Sequence, residues 1–260
     1  LILGPTYSEY SRELSFSGST QDYYHLQEAE DFELDVEDLC LTLLNGYDFL
    51  ILCNPNNPTS SAILKDEMRA LLSFCANRDI FVMIDETYVE FAPSVQEVTA
   101  VPYTKDFSNL MVLRGVSKFY AAPGMRFGYG ITGNKEFLSQ MKEKQIPWSL
   151  NSLGAYAGEQ MFKDTSYIRQ TRALILTERD RMFLELKKMS SFKVYFPYGN
   201  FILVKILKPE VTSFDVFEAC IKEGLMIRDC SSFQCLDGEF IRFCIMKPED
   251  NNRLLKVLKT

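Results

Sequence analysis

Three short runs that are apolar at every position break off abruptly into polar residues, and this pattern limits the fold more than any other feature. Phe49-Leu50-Ile51-Leu52-Cys53 stops at Asn54-Pro55, a turn signal. Ile80-Phe81-Val82-Met83-Ile84 stops at Asp85, and Leu110-Met111-Val112-Leu113 runs out shortly before Ser117-Lys118. A strand wetted on one face alternates apolar and polar residues, so an unbroken apolar run predicts a strand covered on both faces. Between the first two runs, residues 66–77 place Leu71, Leu72 and Cys75 on one helical face, so helices supply the cover. Residues 127–131 form another such run. The expected class is α/β, with a mostly parallel sheet between helices. Ligands of such sheets bind beyond the carboxyl ends of the strands. Asn57, Asp85 and Lys118 all fall just past such ends.

The second half reads differently. Residues 151–189 are mostly helical and carry Arg169, Arg172, Arg179 and Arg181. Residues 192–206 alternate like paired strands, punctuated by Gly199-Asn200. A helix over residues 213–223 stops at Gly224, strands are expected at 225–228 and 240–245, and Pro248 opens a last helix. The order predicts a large α/β domain over residues 1–164 and a smaller α+β domain over 165–260. The chain opens on Leu1-Ile2-Leu3 without an initiator Met, which reads as the inside of a strand with an N-terminal segment missing before it.

With 260 residues, 47% of them hydrophobic, the chain can bury a substantial core. A net charge of −7 without a long basic run argues against nucleic acid, yet leaves room for a small anion in a local basic pocket. Seven scattered cysteines form no disulfide framework. Cys53 and Cys244 lie in apolar runs and read as small buried hydrophobes; Cys230 and Cys235 are too isolated for zinc. His25 is the sole histidine, so histidine-based metal sites and Ser/His or Cys/His catalysis lack material. No apolar run reaches the length of a membrane span.

Four segments carry chemistry. Asn54-Pro55-Asn56-Asn57-Pro58-Thr59, Asp85-Glu86-Thr87-Tyr88 and Ser117-Lys118 each follow a strand, and Pro123-Gly124-Met125-Arg126 comes soon after the lysine. Singly, these are a turn, a helix cap, a solvated charge and a surface pair. In this order the chain resembles the fold-type-I, pyridoxal-phosphate-dependent class I/II aminotransferase family, over nearly its whole length. The resemblance implies the aspartate aminotransferase-like fold, pyridoxal 5'-phosphate as cofactor and no metal.

Residue by residue, the resemblance implies that Lys118 bonds the cofactor as a Schiff base and later moves a proton. Asp85 pairs with the protonated pyridine nitrogen, which keeps the ring an electron sink. Asn57 and Tyr88 reach its phenolate oxygen, Arg126 and Ser117 its phosphate, and Tyr7 stacks on the ring. Arg242 grips a substrate carboxylate, Arg228 adds a second anion contact, and Asn151 is a further substrate-side candidate. Two departures stand out. Ser60 replaces a glycine that ends the Asn-Pro-Thr turn, which predicts a tightened or shifted turn. Gly115 stands where relatives often have a hydroxyl. The family's glycine-rich phosphate loop and a tyrosine from the partner subunit are also not found in this sequence.

Two branches share these motifs, histidinol-phosphate aminotransferase and threonine-phosphate decarboxylase, from histidine and cobalamin biosynthesis. Lys118-Phe119-Tyr120-Ala121-Ala122-Pro123-Gly124, Pro147-Trp148-Ser149-Leu150-Asn151 and Ile227-Arg228-Asp229-Cys230-Ser231 look more like the decarboxylase. The expectation is a cytoplasmic homodimer acting on a small phosphorylated amino acid or amine, with neither nucleic acid nor membrane as partner. Competing readings are weaker. Gly128-Tyr129-Gly130-Ile131-Thr132-Gly133 spells a dinucleotide fingerprint, but its glycines lie within an apolar run rather than after it. Ile84-Asp85-Glu86 resembles the acidic strand end of a P-loop ATPase, yet the sequence holds no phosphate-binding loop for it. A ligand sensor that keeps the fold without catalysis would not need the full catalytic set.

Overall fold

In the computed structural model, which describes residues 1–259, the apolar runs become neighbouring strands. β1 (Ile2–Gly4), β2 (Tyr23–His25), β3 (Phe49–Cys53), β4 (Phe81–Asp85), β5 (Leu110–Gly115) and β6 (Gly128–Ile131) form one sheet in the order β2-β1-β3-β4-β5-β6. All neighbours are parallel except β6, which runs antiparallel to β5 at the edge. A second, antiparallel sheet contains β7 (Phe192–Val194), β8 (Phe201–Ile206), β9 (Arg228–Asp229) and β10 (Phe240–Cys244), in the order β7-β8-β10-β9.

The helices are α1 (Glu9–Phe16), α2 (Val36–Leu43), α3 (Lys65–Ala76), α4 (Val95–Val98), α5 (Lys135–Lys144), α6 (Ser152–Lys163), α7 (Thr165–Lys187), α8 (Ser213–Lys222) and α9 (Pro248–Leu258). Their starts follow from sequence. Asp35, Asn134, Asn151 and Asp164 accept backbone N–H groups at the heads of α2, α5, α6 and α7. Thr212 and Asp215 cap α8 reciprocally. The cap at Asp164 also divides the helical stretch expected over 151–189 into two helices.

One face of the large sheet is sealed. Leu39 and Leu43 of α2 and Met68, Leu71, Leu72 and Cys75 of α3 pack with Leu50, Leu52, Val82, Ile84, Leu110 and Val112. On the other face Met83, Met111 and Leu113 are only half-buried, so the unbroken apolar runs overstate the cover in the described residues. A second core joins α7 and α9 to β8 and β10. Two expectations are corrected here. The strand expected over 225–228 pairs only at Arg228–Asp229. Cys244, read as buried, is exposed on β10, because the alternation there turns Phe243 and Ile245 inward instead.

Long arginines of α7 fasten the two parts. Arg172 donates to the carbonyls of Glu90, Ala92 and Pro93. The fully buried Arg179 donates to those of Phe91, Tyr198 and Gly199. Both hold the backbone just after Tyr88. No helix among the described residues is long and apolar enough to cross a membrane.

Candidate active site

Because β1, β3, β4 and β5 are parallel, the segments that follow them leave the sheet at the same edge. They meet the second sheet across a cavity of about 650 Å³. Tyr7, Asn57, Asp85, Tyr88, Ser117, Lys118, Arg126, Arg228 and Arg242 all line it. Asn151 does not. Its side chain accepts the N–H groups of Leu153 and Gly154 and donates to Met125 O, so it caps α6 and steadies the Pro123–Met125 turn. That placement corrects its expected contact with substrate.

Asp85 ends β4 with both carboxylate oxygens engaged. Oδ1 accepts the N–H of Thr87 at 2.9 Å and its hydroxyl at 2.5 Å, and Oδ2 accepts the hydroxyl of Tyr10 at 2.8 Å. Glu86 points to the opposite side of the strand, as a period of two requires. There it is fully buried and meets Arg114 at 2.7 Å, Thr99 and Ala100 N–H. Burial nevertheless pushes its carboxyl above the usual range, ahead of the opposing effect of Arg114. Adjacent carboxylates thus have separate tasks, one at the cavity and one inside the fold.

Asn57 alone among the asparagines of its turn faces the cavity, where its side-chain Oδ1 accepts from Arg242 Nη1. Asn54 binds Ile63 and the Val98 carbonyl, and Asn56 binds Thr6, Pro5 and Thr59; both are structural. The Arg242 guanidinium lies 5.0 Å from the Phe201 ring centroid, and its Nε is buried without a hydrogen-bond partner. Tyr88 meets Phe201 edge-on at 4.9 Å, and burial pushes its phenol up. Arg228 is exposed and donates to Ser232 Oγ at 2.7 Å.

Lys118 is exposed to the cavity with its Nζ 5.9 Å from the Tyr88 ring centroid, and that amine forms no salt bridge or hydrogen bond among the described residues. Arg126 follows the Pro123–Met125 turn in a left-handed conformation and spends one donor on Pro123 O.

The two departures now have physical accounts. Ser60 keeps the turn by adopting the left-handed conformation itself, at φ 62°. Its buried Oγ accepts the Gly199 N–H at 2.8 Å, tying the turn to the loop before β8. Gly115 pairs with Gly128 across β5 and β6, and a Cβ at Gly115 would come within 3.3 Å of Phe127 O. The dinucleotide look-alike is a packing device as well. A Cβ on Gly130 would collide with Met111 at 2.2 Å, and one on Gly133 with Thr104 O at 2.0 Å.

Sequence reasoning missed Tyr10, Thr87, Arg12 and Ser232, which also line the cavity. Tyr10 carried a signal, since it lies one helical turn from Tyr7 and so shares its face. Thr87 had one too, two residues after an aspartate, where a side chain commonly closes on the backbone.

The model of the "Aminotransferase class I and II" family matches residues 1–258. The chain belongs to this family. A protein of Caldanaerobacter subterraneus subsp. tengcongensis provisionally named threonine-phosphate decarboxylase is 34% identical across 100% of this chain and 70% of its own length. The threonine-phosphate decarboxylase of Salmonella typhimurium is 30% identical over the same shares. The crystal structure of histidinol-phosphate aminotransferase from Clostridium acetobutylicum superposes with a TM-score of 0.92 at 33% identity, over 99% of this chain and 76% of that one. The fold is therefore that of the aspartate aminotransferase-like enzymes, as the motifs implied. Membership makes this a pyridoxal-phosphate-dependent enzyme.

Proposed function

We propose that this enzyme acts on a small phosphorylated amino acid, in the manner of a threonine-phosphate decarboxylase. The observation that carries the reading is the pair Arg228 and Arg242, which face one cavity with Lys118 and Asp85. Phosphothreonine brings two anionic groups, a carboxylate and a phosphate, and two guanidiniums match them.

The donor set fits pyridoxal phosphate. A carboxylate, a lysine amine without an ionic partner, an arginine and a serine face the same space. The cofactor, when bound, supplies an electron sink for the bonds at the substrate α-carbon. The protein's share is positioning and proton handling. Asp85 would accept a hydrogen bond from the ring nitrogen and favour a proton there. Asn57 and Tyr88 would orient the phenolate side, and Arg126 and Ser117 would hold the phosphate. Lys118 would hold the aldehyde carbon and, once displaced by the substrate amine and protonated, would supply the proton that takes the place of the departing carboxylate on the α-carbon. Arg242 grips the substrate carboxylate at two points, which fixes the bond to be broken.

In this reading residues 1–164 hold the cofactor and residues 165–260 carry the substrate arginines, within a homodimer. The relatives at 34% and 30% identity support decarboxylation. The solved structure at 33% identity favours a second reading, transamination of histidinol phosphate. The test is to incubate the enzyme with phosphothreonine, and separately with histidinol phosphate plus 2-oxoglutarate. Carbon dioxide release from the first, with no reaction of the second, is expected. Rapid conversion of the cofactor to its amine form by glutamate would replace decarboxylation with transamination. Sedimentation that found only monomer at micromolar concentration would remove the dimer.

A further inference from the structure

We propose that Tyr10 is a positioning residue for Asp85, turning its carboxylate so that one lone pair of Oδ2 faces the cavity. The inference rests on the reading of Asp85 as partner of the cofactor's ring nitrogen. An ionised carboxylate has about four lone-pair sites. In this structure Thr87 takes up Oδ1 with its N–H and hydroxyl, and Tyr10 donates to Oδ2 at 2.8 Å. The site that remains is on Oδ2, the oxygen whose orientation Tyr10 controls.

The phenol is suited to this task. Tyr10 sits in the first turn of α1, and its ring meets Tyr7 edge-on at 5.7 Å, so the two rings brace each other at the cavity wall. Burial, then the nearby Cys53 and Asp85, push the Tyr10 phenol well above its usual range. It therefore stays a proton donor at any working pH. Each donor to the carboxylate favours its charged form over its acid form. Without the Tyr10 hydroxyl, Asp85 would hold a shared proton more strongly. The proton between Asp85 and a ring nitrogen would then move toward the carboxylate, and the ring would lose positive charge.

The test uses the holoenzyme reconstituted with pyridoxal phosphate labelled with ¹⁵N in the ring, whose NMR shift reports whether that nitrogen is protonated. Tyr10→Phe deletes the hydroxyl and keeps the ring and its contact with Tyr7. The expected result is a protonated nitrogen in the wild type and a shift toward the unprotonated value in the variant. Turnover should fall about tenfold, the effect of one hydrogen bond to a charged group. In an Asp85→Asn background, adding Tyr10→Phe should cost less than about twofold more, because the group it positions is gone. An unchanged nitrogen shift in Tyr10→Phe, or the full tenfold loss in the Asp85→Asn background, would overturn the role of Tyr10 alone. A wild-type nitrogen without its proton would overturn the role of Asp85 and this one with it.

Discussion

Arg228 and Arg242 stand directly opposite each other on the antiparallel pair β9 and β10. Like charges in that position repel. Each guanidinium is steadied separately, Arg242 over Phe201 at 5.0 Å and against Asn57, Arg228 over Phe233 at 5.5 Å and against Ser232. Neither forms a salt bridge among the described residues. A ligand with two anionic groups would relieve the repulsion that the fold leaves standing.

Arg242→Lys should therefore lower kcat/KM for phosphothreonine about a hundredfold, or about 2.7 kcal/mol of transition-state binding. One ammonium cannot reproduce a planar two-point grip. The cofactor's absorption band should be unchanged, since Lys118 and Arg126 lie on the connection between β5 and β6. Steady-state kinetics with the band as internal control measures both.

Lys118 should be the lysine that bonds the cofactor. Borohydride reduction followed by peptide mass spectrometry is expected to find the pyridoxyl adduct on Lys118, and Lys118→Ala should give none. An adduct on another lysine would end the assignment.

Asp85→Asn should leave the cofactor bound while kcat falls about a hundredfold or more. The amide lacks the charge that stabilises a protonated ring nitrogen. Near wild-type turnover would show that Asp85 has another task.

Ser60→Ala tests the turn that aims Asn57. It removes the acceptor of the Gly199 N–H and leaves that buried donor unpaired. The expected loss of stability is about 1–3 kcal/mol by denaturant titration. Ser60→Gly should recover part of it, because glycine adopts the left-handed conformation without strain.

Glu178 makes the fold sensitive to acid. It is buried, and its carboxylate accepts from Arg181 at 2.7 Å and from Asn251 of α9 at 2.7 Å. The Arg181 hydrogen bond, ahead of burial and then Asn251, holds its carboxyl below the usual 4.5. A depressed value in the folded state means stability that is complete above about pH 4.5 and lost as pH falls through the folded value. Melting curves should show Glu178→Gln less stable than wild type at pH 7, with the gap closing at acid pH. A gap that does not change with pH would contradict the linkage.

Much of this molecule was legible before any coordinates. The apolar runs and their polar stops act through near neighbours, and so spacing alone reveals them. The same local reading misjudged Cys244, which the strand's alternation turns outward. It also took Asn151 for a substrate contact, whereas the side chain lies outside the cavity lining, capping α6 and donating to Met125 O.

By itself, then, the sequence determined the α/β class, the family and which residues leave the carboxyl ends of the strands, since periodicity and motif order are properties of short segments. Tertiary structure decided what those residues touch. Asn57 meets Arg242 across 185 positions, and Tyr10 meets Asp85 across 75. No local propensity encodes such pairs. They exist because two sheets must each bury an apolar face, and only that packing brings the arginines of one sheet over the carboxylate and lysine of the other.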